Sequence, residues 1–361
     1  MKRHIYDIAE GKFIITEDDE TKWLRSEEYN YNFNKKTGLF FRWGKTKEDD
    51  PSFCPLGPEI LDIEISVNGC PNACPFCYKN NKNSEPTNMS FETFKTVIDK
   101  FPKHLSQIAF GITGVQTNPD FVKMLEYTRE LGIIPNFTLS GIDLTDEIAD
   151  KIVQFIGGLA VSAYQTDKNI CYNTVKAFTD RGVKQTNIHL MTSEETLPFV
   201  YEVLNDRLTD PRLADMNAII FLGVKPKGRA KDNYTPLPQA AFADLLDFCM
   251  EKKIDIGFDS CTAPKYEAAV NDMSISPDMK KKMIEYSESC ESTLFSMYVN
   301  VLGQFFPCSF TEEGEGVSLV EATDFQDCWR SDKAEEFRKR LLATTKNGCR
   351  SCPAFDIGGA K

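Results

Sequence analysis

The hydrophobic and polar positions of the chain follow one repeating pattern between about residues 59 and 258. Short apolar runs occur at 60–66, 107–110, 133–139, 159–162, 186–190, 218–224 and 254–258. Segments with helical periodicity lie between them, at 90–101, 119–130, 145–155, 169–181, 193–204 and 238–252. This alternation predicts an α/β fold of parallel strands joined by right-handed helical crossovers. Periodicity alone fits either an open doubly wound sheet or a barrel.

The two ends of the chain follow other patterns. Residues 30–44 contain two strand-like runs around a Lys-Lys-Thr-Gly turn, which predicts a small β-hairpin extension. Residues 290–308 predict a second hairpin with its turn at Val-Leu-Gly303 and a cysteine at each end. We therefore divide the chain into an N-terminal extension (1–58), a core (59–258) and a C-terminal domain (259–361).

Charge and composition exclude several classes of protein. The net charge is -12 and the pI about 5.0, and basic runs do not exceed three residues, so an extended nucleic-acid groove is not expected. The sequence shows neither a long apolar stretch nor a signal-peptide core, so we expect a cytoplasmic protein without a membrane span. Twelve cysteines in such a protein indicate metal or redox chemistry rather than disulfides.

Three of these cysteines, Cys70, Cys74 and Cys77, lie within eight residues directly after the first apolar run, and two prolines stiffen the loop between them. Such a loop can wrap three corners of a cuboidal iron–sulfur cluster, leaving one iron open to a small chelating ligand. A zinc site would need a fourth ligand, and no histidine is close in sequence. Three thiols cannot all pair as disulfides.

The spacing C-x3-C-x2-C, with Phe76 before the last cysteine, resembles the signature of the radical S-adenosylmethionine (SAM) superfamily. The resemblance implies a partial (β/α)6 TIM-type barrel, with the cysteine loop after the first strand and SAM across the carboxyl ends of the strands. It also implies that the open iron of a [4Fe–4S] cluster binds SAM. An electron from an external reductant, such as a flavodoxin or ferredoxin, then cleaves SAM to a 5'-deoxyadenosyl radical.

By the same resemblance, residues at the strand ends contact the cofactor. They are Phe76, Tyr78, Gly111, Gly114, Gln116, Ser140, Ser162 and His189. The loop at 111–116 occupies the place of the family's Gly-Gly-Glu-Pro motif, but Gln116 replaces the carboxylate and offers only a neutral hydrogen bond. Ser140 and Ser162 fit simple turn serines equally well, and Tyr78 fits either an adenine contact or the core.

A catalytic residue is not identified by the sequence. His189 is a weak candidate, since a lone histidine at a strand end is more often a hydrogen-bonded core or cofactor-contacting group. The basic turn Lys225-Pro-Lys227-Gly-Arg229 fits either a clamp for an anionic substrate or SAM carboxylate, or a solvated loop.

A second cysteine group follows the core. Its members are Cys290, Cys308, Cys349 and Cys352. Four thiolates on a hairpin and a C-x2-C pair also suit zinc. Their order after a radical SAM core, however, resembles the SPASM/twitch domains, and the short tail after the last pair matches the twitch-like form with one auxiliary [4Fe–4S] cluster. Cys261 or Cys328 could replace one of the four ligands.

A second cluster can accept the electron that a substrate radical must lose when the product is oxidised. The sequence therefore predicts a radical SAM oxidoreductase that modifies a peptide or protein by crosslinking or dehydrogenation, the substrate class being inferred by analogy. The main alternative is radical dehydrogenation or rearrangement of a small sugar or nucleoside metabolite. A non-enzyme alternative is an iron–sulfur electron-transfer protein or a zinc-stabilised binding protein.

Overall fold

The computed structural model describes residues 1–346, 349–350 and 352–355, without the side chains of residues 345, 346 and 349. The chain begins with an antiparallel meander of five strands within residues 2–43, each paired with the next. These strands are β1 (Lys2–Ile8), β2 (Gly11–Glu17), β3 (Thr21–Arg25), β4 (Asn30–Asn34) and β5 (Phe40–Trp43).

The predicted hairpin is present as β4 and β5, but the region contains five strands rather than the two that were predicted. Strands β2 and β3 add an alternating apolar face, on which Phe13, Ile15 and Leu24 are buried. Because one apolar face of a sheet must be covered, this face packs with Leu294 and Phe295 into a second hydrophobic core. The extension is thereby fixed to the C-terminal part of the chain.

The middle of the chain alternates strand and helix as predicted. Its elements are β6 (Ile60–Glu64), β7 (Ser66–Val67), β8 (Thr87–Asn88), α1 (Phe91–Asp99), β9 (Gln107–Gly111), α2 (Phe121–Glu130), β10 (Ile134–Leu139), α3 (Asp146–Ile152), β11 (Gly158–Ser162), α4 (Lys168–Asp180), β12 (Gln185–Thr192), α5 (Leu197–Thr209), β13 (Ile219–Gly223), α6 (Gln239–Lys252) and β14 (Ile256–Phe258). Side chains of Ser90 and Thr145 cap α1 and α3, which stabilises each helix by about 1 kcal/mol.

The C-terminal part begins with five α-helices and β-strands. They are α7 (Ala263–Asp272), α8 (Pro277–Glu285), β15 (Ser296–Val299), β16 (Gln304–Phe306) and β17 (Val317–Ser318). The chain then continues through α9 (Phe325–Trp329), α10 (Asp332–Ala343), β18 (Thr345–Lys346) and β19 (Cys349–Arg350).

One large sheet carries both cysteine-bearing regions. Ten strands within the described residues form it, in the order β14-β13-β12-β11-β10-β9-β6-β15-β16-β17. Strands β6 and β9 to β14 pair in parallel, which confirms the predicted α/β fold, while closure into a partial barrel stays a prediction. Strand β15 pairs in parallel with the other edge of β6. The β15–β16 hairpin, after which Cys308 lies, is therefore added to the sheet beside the strand that leads to the first cysteine loop.

A helix that crosses a bilayer must be both long and apolar. None of the helices in the described ranges meets both requirements.

Candidate iron–sulfur and SAM site

The first cysteine loop follows β6 and β7 at the carboxyl end of the parallel strands. Backbone hydrogen bonds close it on itself, from Gly69 N to Ser84 O (2.9 Å) and from Cys70 N to Lys82 O (3.1 Å). Burial raises the pKa of the Cys74 thiol to about 11, and the nearby Cys70 and Cys77 add to the shift. The three thiols therefore lie near one another, and they must lose their protons when metal binds.

No three His, Cys, Asp or Glu side chains among the described residues converge at the spacing of a single metal-ion site. A cubane cluster differs from a single ion, because each cysteine sulfur binds a different iron at a separate corner. The curved loop that carries three thiols suits such separate corners.

The basic turn after β13 is hydrogen-bonded to this loop. Arg229 donates from Nε to Cys74 O (2.8 Å) and from Nη1 to Asn81 O (2.8 Å), and its backbone N–H donates to Cys77 O (3.0 Å). Gly228 has φ +60°, and a Cβ there would lie 2.4 Å from the carbonyl oxygens of Cys77 and Tyr78. The turn thus lies directly against the backbone of the cysteine loop, a role that the sequence did not suggest.

Aromatic residues surround Phe76 at the rim. Its ring stacks on Tyr164 (centroids 6.1 Å apart) and meets Tyr234 edge-on (5.8 Å). Burial raises the pKa of the Tyr164 hydroxyl, and Cys74 and Ser162, at the end of β11, lie near enough to influence it. The loops after β6 and β11 therefore approach each other near the thiols.

The loop after β9 joins the loop after β10. Gln116 donates from Nε2 to Asp143 O (2.6 Å), and its backbone N–H donates to Asp143 Oδ2 (3.0 Å). A Cβ at Gly114 would lie 2.5 Å from the same carboxylate, and one at Gly111 would lie 3.3 Å from Glu64 Cα. A carboxylate, that of Asp143, thus lies beside Gln116, and sequence reasoning missed it because it is on another loop.

Several polar atoms at this rim are buried and have no hydrogen-bond partner among the described residues. They are Asn72 Nδ2, Thr113 Oγ1, Asp143 Oδ1 and Arg229 Nη2. Leaving such atoms unpaired costs about 1–3 kcal/mol each. They come from loops that follow four different strands and include donors and acceptors, so they fit a ligand that carries both amino and carboxylate groups.

The remaining predicted contacts have local partners. Ser140 Oγ accepts a hydrogen bond from Ile142 N (3.4 Å), which is a turn interaction. His189 Nδ1 lies 3.2 Å from Thr138 Oγ1, and burial lowers the pKa of His189 to about 4, although Asp259 opposes this shift. His189 is therefore neutral at neutral pH. Whether these side chains also touch the cofactor stays a prediction.

The second cysteine group is drawn together from distant segments. Burial raises the pKa of Cys308 to about 11 and that of Cys290 to about 12, and Cys352 is near enough to both to add to the shift. Arg350 Nε donates to Cys290 O (2.8 Å), which ties the C-x2-C segment to the start of the hairpin. The side chain of Cys349 lies outside the described residues.

The two spare cysteines differ in position. Cys261 lies near Cys290 and Cys308, and burial raises its pKa well above the usual value. Cys328 is buried in the main core, and its thiol points toward Ser318 O (3.9 Å). Of the two, Cys261 alone accompanies the group.

Comparisons with known proteins identify two domains in the chain. The radical SAM superfamily model matches residues 65–164, and the SPASM iron–sulfur cluster-binding domain model matches residues 290–353. The chain carries a radical SAM domain and a SPASM domain. The cofactors of a radical SAM/SPASM protein are SAM and [4Fe–4S] clusters.

Solved structures show the same fold. Streptococcus suis SuiB is 12% identical, with a TM-score of 0.63 over 90% of each chain. SuiB bound to its precursor peptide SuiA is 12% identical, with a TM-score of 0.62, and the match covers 89% of this chain and 90% of SuiB. The protein anSMEcpe with bound AdoMet and Cp18Cys peptide is 14% identical, with a TM-score of 0.62, and the match covers 84% of this chain and 92% of anSMEcpe. A comparison with curated protein sequences found no match.

In this radical SAM/SPASM protein, an ionic network between the two domains was not foreseen from the sequence. Lys79 donates to Tyr298 Oη (2.5 Å) and pairs with Glu64 (3.2 Å) and Glu312. A signal was available, because Asp62 and Glu64 interrupt the apolar strand β6 at every second position and so face one side of it.

A separate cleft of about 720 Å³ opens between β5, the start of β6 and residues 284–291. Ile60 and Gln107 line it at the amino ends of β6 and β9. It therefore lies at the opposite end of these strands from the first cysteine loop of the radical SAM domain.

Proposed function

We propose that this protein cleaves SAM reductively to a 5'-deoxyadenosyl radical and oxidatively modifies a peptide or protein, by crosslinking or dehydrogenation. The observation that carries the proposal is that two cysteine groups flank neighbouring strands of one sheet. Cys70, Cys74 and Cys77 follow the carboxyl end of β6, and the auxiliary group includes Cys290 before β15 and Cys308 after β16. A radical site and a second redox centre on one sheet suit a reaction that removes a hydrogen atom and then an electron from one substrate.

In this proposal, the side chains of Cys70, Cys74 and Cys77 hold the SAM-binding cluster. Asp143, with its unpartnered Oδ1, accepts hydrogen bonds from the amino group of SAM, and Arg229, with its unpartnered Nη2, donates to the carboxylate. The other contacts come from the residues predicted from sequence: Phe76, Tyr78, Gly111, Gly114, Gln116, Ser140, Ser162 and His189. Bound SAM would supply the hydrogen-abstracting radical.

The auxiliary cluster is proposed to be held by Cys290, Cys308, Cys349 and Cys352. Lys225 is a buried cation near Cys308; its side chain is 5% exposed and pairs with Asp259. Asp259 and the nearby thiols raise the pKa of Lys225 despite its burial, so the ammonium stays charged beside the group. A fixed positive charge favours the electron-rich state of a neighbouring cluster.

The choice of a peptide substrate is supported by analogy. SuiB has been solved with its precursor peptide SuiA, and anSMEcpe with the peptide Cp18Cys. Because the identities are only 12% and 14%, these structures show the shared fold, and the substrate class is proposed on that basis.

The first test is anaerobic reconstitution with iron and sulfide, followed by SAM and dithionite. We expect about eight irons per chain, as two cubanes require, and formation of 5'-deoxyadenosine. A reconstituted protein that forms no 5'-deoxyadenosine, or that binds stoichiometric zinc instead, would refute the proposal. The matched control is Cys171→Ala, which removes a buried thiol of α4 that contacts Val161 O (3.7 Å) and should leave both cofactor sites intact.

The second test identifies the substrate class. Candidate precursor peptides encoded beside the gene are incubated with the loaded enzyme and analysed by mass spectrometry, and loss of two hydrogen atoms from a peptide is expected. If 5'-deoxyadenosine forms but only a sugar or nucleoside loses hydrogen, the radical chemistry stands and the peptide assignment is wrong.

A further inference from the structure

The residues that follow Cys77 touch the residues that follow Cys308. The rings of Tyr78 and Phe310 lie 4.3 Å apart between centroids, tilted by 37°. The Tyr78 hydroxyl lies 3.3 Å from Ser309 Oγ. The last cysteine of the first loop and the hairpin cysteine of the second group are thus joined through a single aromatic contact.

This contact extends to the cysteine sulfur on the auxiliary side. The backbone N–H of Phe310 donates to Cys308 Sγ (3.5 Å). On the other side, Tyr78 is bonded directly to Cys77, whose carbonyl accepts from Arg229 N (3.0 Å). Between the two cysteines the connection therefore needs one gap between rings and one N–H···S hydrogen bond, and otherwise follows covalent bonds.

Neighbouring residues hold the contact in place from both sides. Lys227 Nζ donates to Phe310 O (2.6 Å), and the Lys225 ammonium lies 5.2 Å from the centroid of the Phe310 ring. Lys79, next to Tyr78, is bound to Tyr298 and Glu312. The rings are thus constrained by interactions with β15 and with the turn after β13, which suits a contact of fixed distance.

We propose that the Tyr78–Phe310 contact is the route by which an electron passes between the two iron–sulfur sites. The inference rests on the proposed two-cluster function. One electron leaves the substrate radical for the oxidised auxiliary cluster, and one proton leaves the substrate for water as the new bond forms. The same electron then crosses Phe310 and Tyr78 to the oxidised SAM-binding cluster, so the pair of clusters supplies both donor and acceptor.

The test uses the full-length, reconstituted protein with Tyr78→Leu and Phe310→Leu. Leucine removes the ring and keeps the backbone N–H that bonds Cys308. The control Tyr234→Leu removes a ring that meets Phe76 in the same loop, away from the auxiliary segment. Sub-stoichiometric reductant is mixed with each protein, and rapid freeze-quench EPR follows the redistribution of the electron between the two cluster signals, while pulsed EPR measures the spacing of the clusters.

We expect wild type and Tyr234→Leu to redistribute the electron in a fast phase, and both contact variants to lose that phase while iron content and cluster spacing stay unchanged. An unchanged fast phase in both contact variants overturns the inference. A changed cluster spacing also overturns it, because the rings would then act as a spacer. Failure of the proposed function is distinguishable, since wild type would then lack two cluster signals or form no 5'-deoxyadenosine.

Discussion

The two cysteine groups of this radical SAM/SPASM protein are built in opposite ways. Cys70, Cys74 and Cys77 lie within eight residues on one loop, whose shape is set by its own backbone hydrogen bonds and by Arg229. The auxiliary group combines Cys290 and Cys308, around a hairpin, with the distant Cys352. The first group depends on the geometry of one loop. The second depends on the β15–β16 hairpin and on the hydrogen bond from Arg350 to Cys290 O, which bring separate segments together.

Because the two groups are built differently, one site can be damaged without the other. A change in the loop after β6 alters three ligands at once, because all three share one stretch of backbone. A change near β15 alters the relation between separate segments and leaves the first loop closed. Single substitutions in or near each group test that independence.

The largest effect is expected for Cys77→Ser. Loss of one of three thiolates should prevent assembly of the SAM-binding cluster, so 5'-deoxyadenosine should fall below detection while about four irons remain at the auxiliary site. Iron and sulfide analysis with chromatography of the nucleoside measures both. Full 5'-deoxyadenosine formation by the variant would contradict the assignment of this loop, and Cys171→Ala serves as the control.

Cys308→Ser should give the converse result. The auxiliary cluster should be lost, again leaving about four irons, but 5'-deoxyadenosine should still form because the first loop is independent. Oxidised product should be absent, since the substrate radical has no electron acceptor. If the first cluster is lost as well, the two groups fold as one unit and are not independent.

The sequence predicts the first group well because its three cysteines lie close together in sequence. The spacing of three cysteines after an apolar run is visible in eight residues. The alternation of apolar runs and helical segments predicts β6 and each strand from β9 to β14, but not the short strands β7 and β8. Helix starts were also predictable, because Ser90 and Thr145 provide side-chain caps.

Other features depend on contacts between distant segments, and the sequence could not provide them. The parallel pairing of β15 with β6 joins residues more than 200 positions apart. The grip of Arg229 on the cysteine loop and the unpartnered carboxylate of Asp143 likewise appear only when separate strand ends meet. The N-terminal extension was underestimated because its apolar face is covered by residues from the other end of the chain.

Gly228→Ala tests the grip on the first loop. Its matched control is Gly314→Ala, since Gly314 has a similar φ (+66°) but no atom within 4 Å of a new Cβ. Both variants carry the left-handed backbone cost of about 1–2 kcal/mol, and only Gly228→Ala also collides with the carbonyl oxygens of Cys77 and Tyr78. Thermal denaturation and iron content should therefore show the larger loss in Gly228→Ala, confined to the SAM-binding cluster. Equal losses in the two variants would show that the close contact is unimportant.

The smallest effect is expected for His189→Gln, which probes the sheet that both groups share. The folded-state pKa of His189 is about 4, below the value of about 6.5 expected in the unfolded chain. Between these values the unfolded chain binds a proton that the folded protein does not, so wild type should lose up to about 3 kcal/mol as pH falls from about 6.5 to 4. Glutamine keeps a polar group near Thr138 and does not titrate in this range. Urea denaturation at pH 7 and pH 5 should therefore show the variant gaining stability relative to wild type at the lower pH. A pH-independent difference would mean that His189 is protonated as easily in the fold as in the unfolded chain, and that this part of the sheet is not a dry environment.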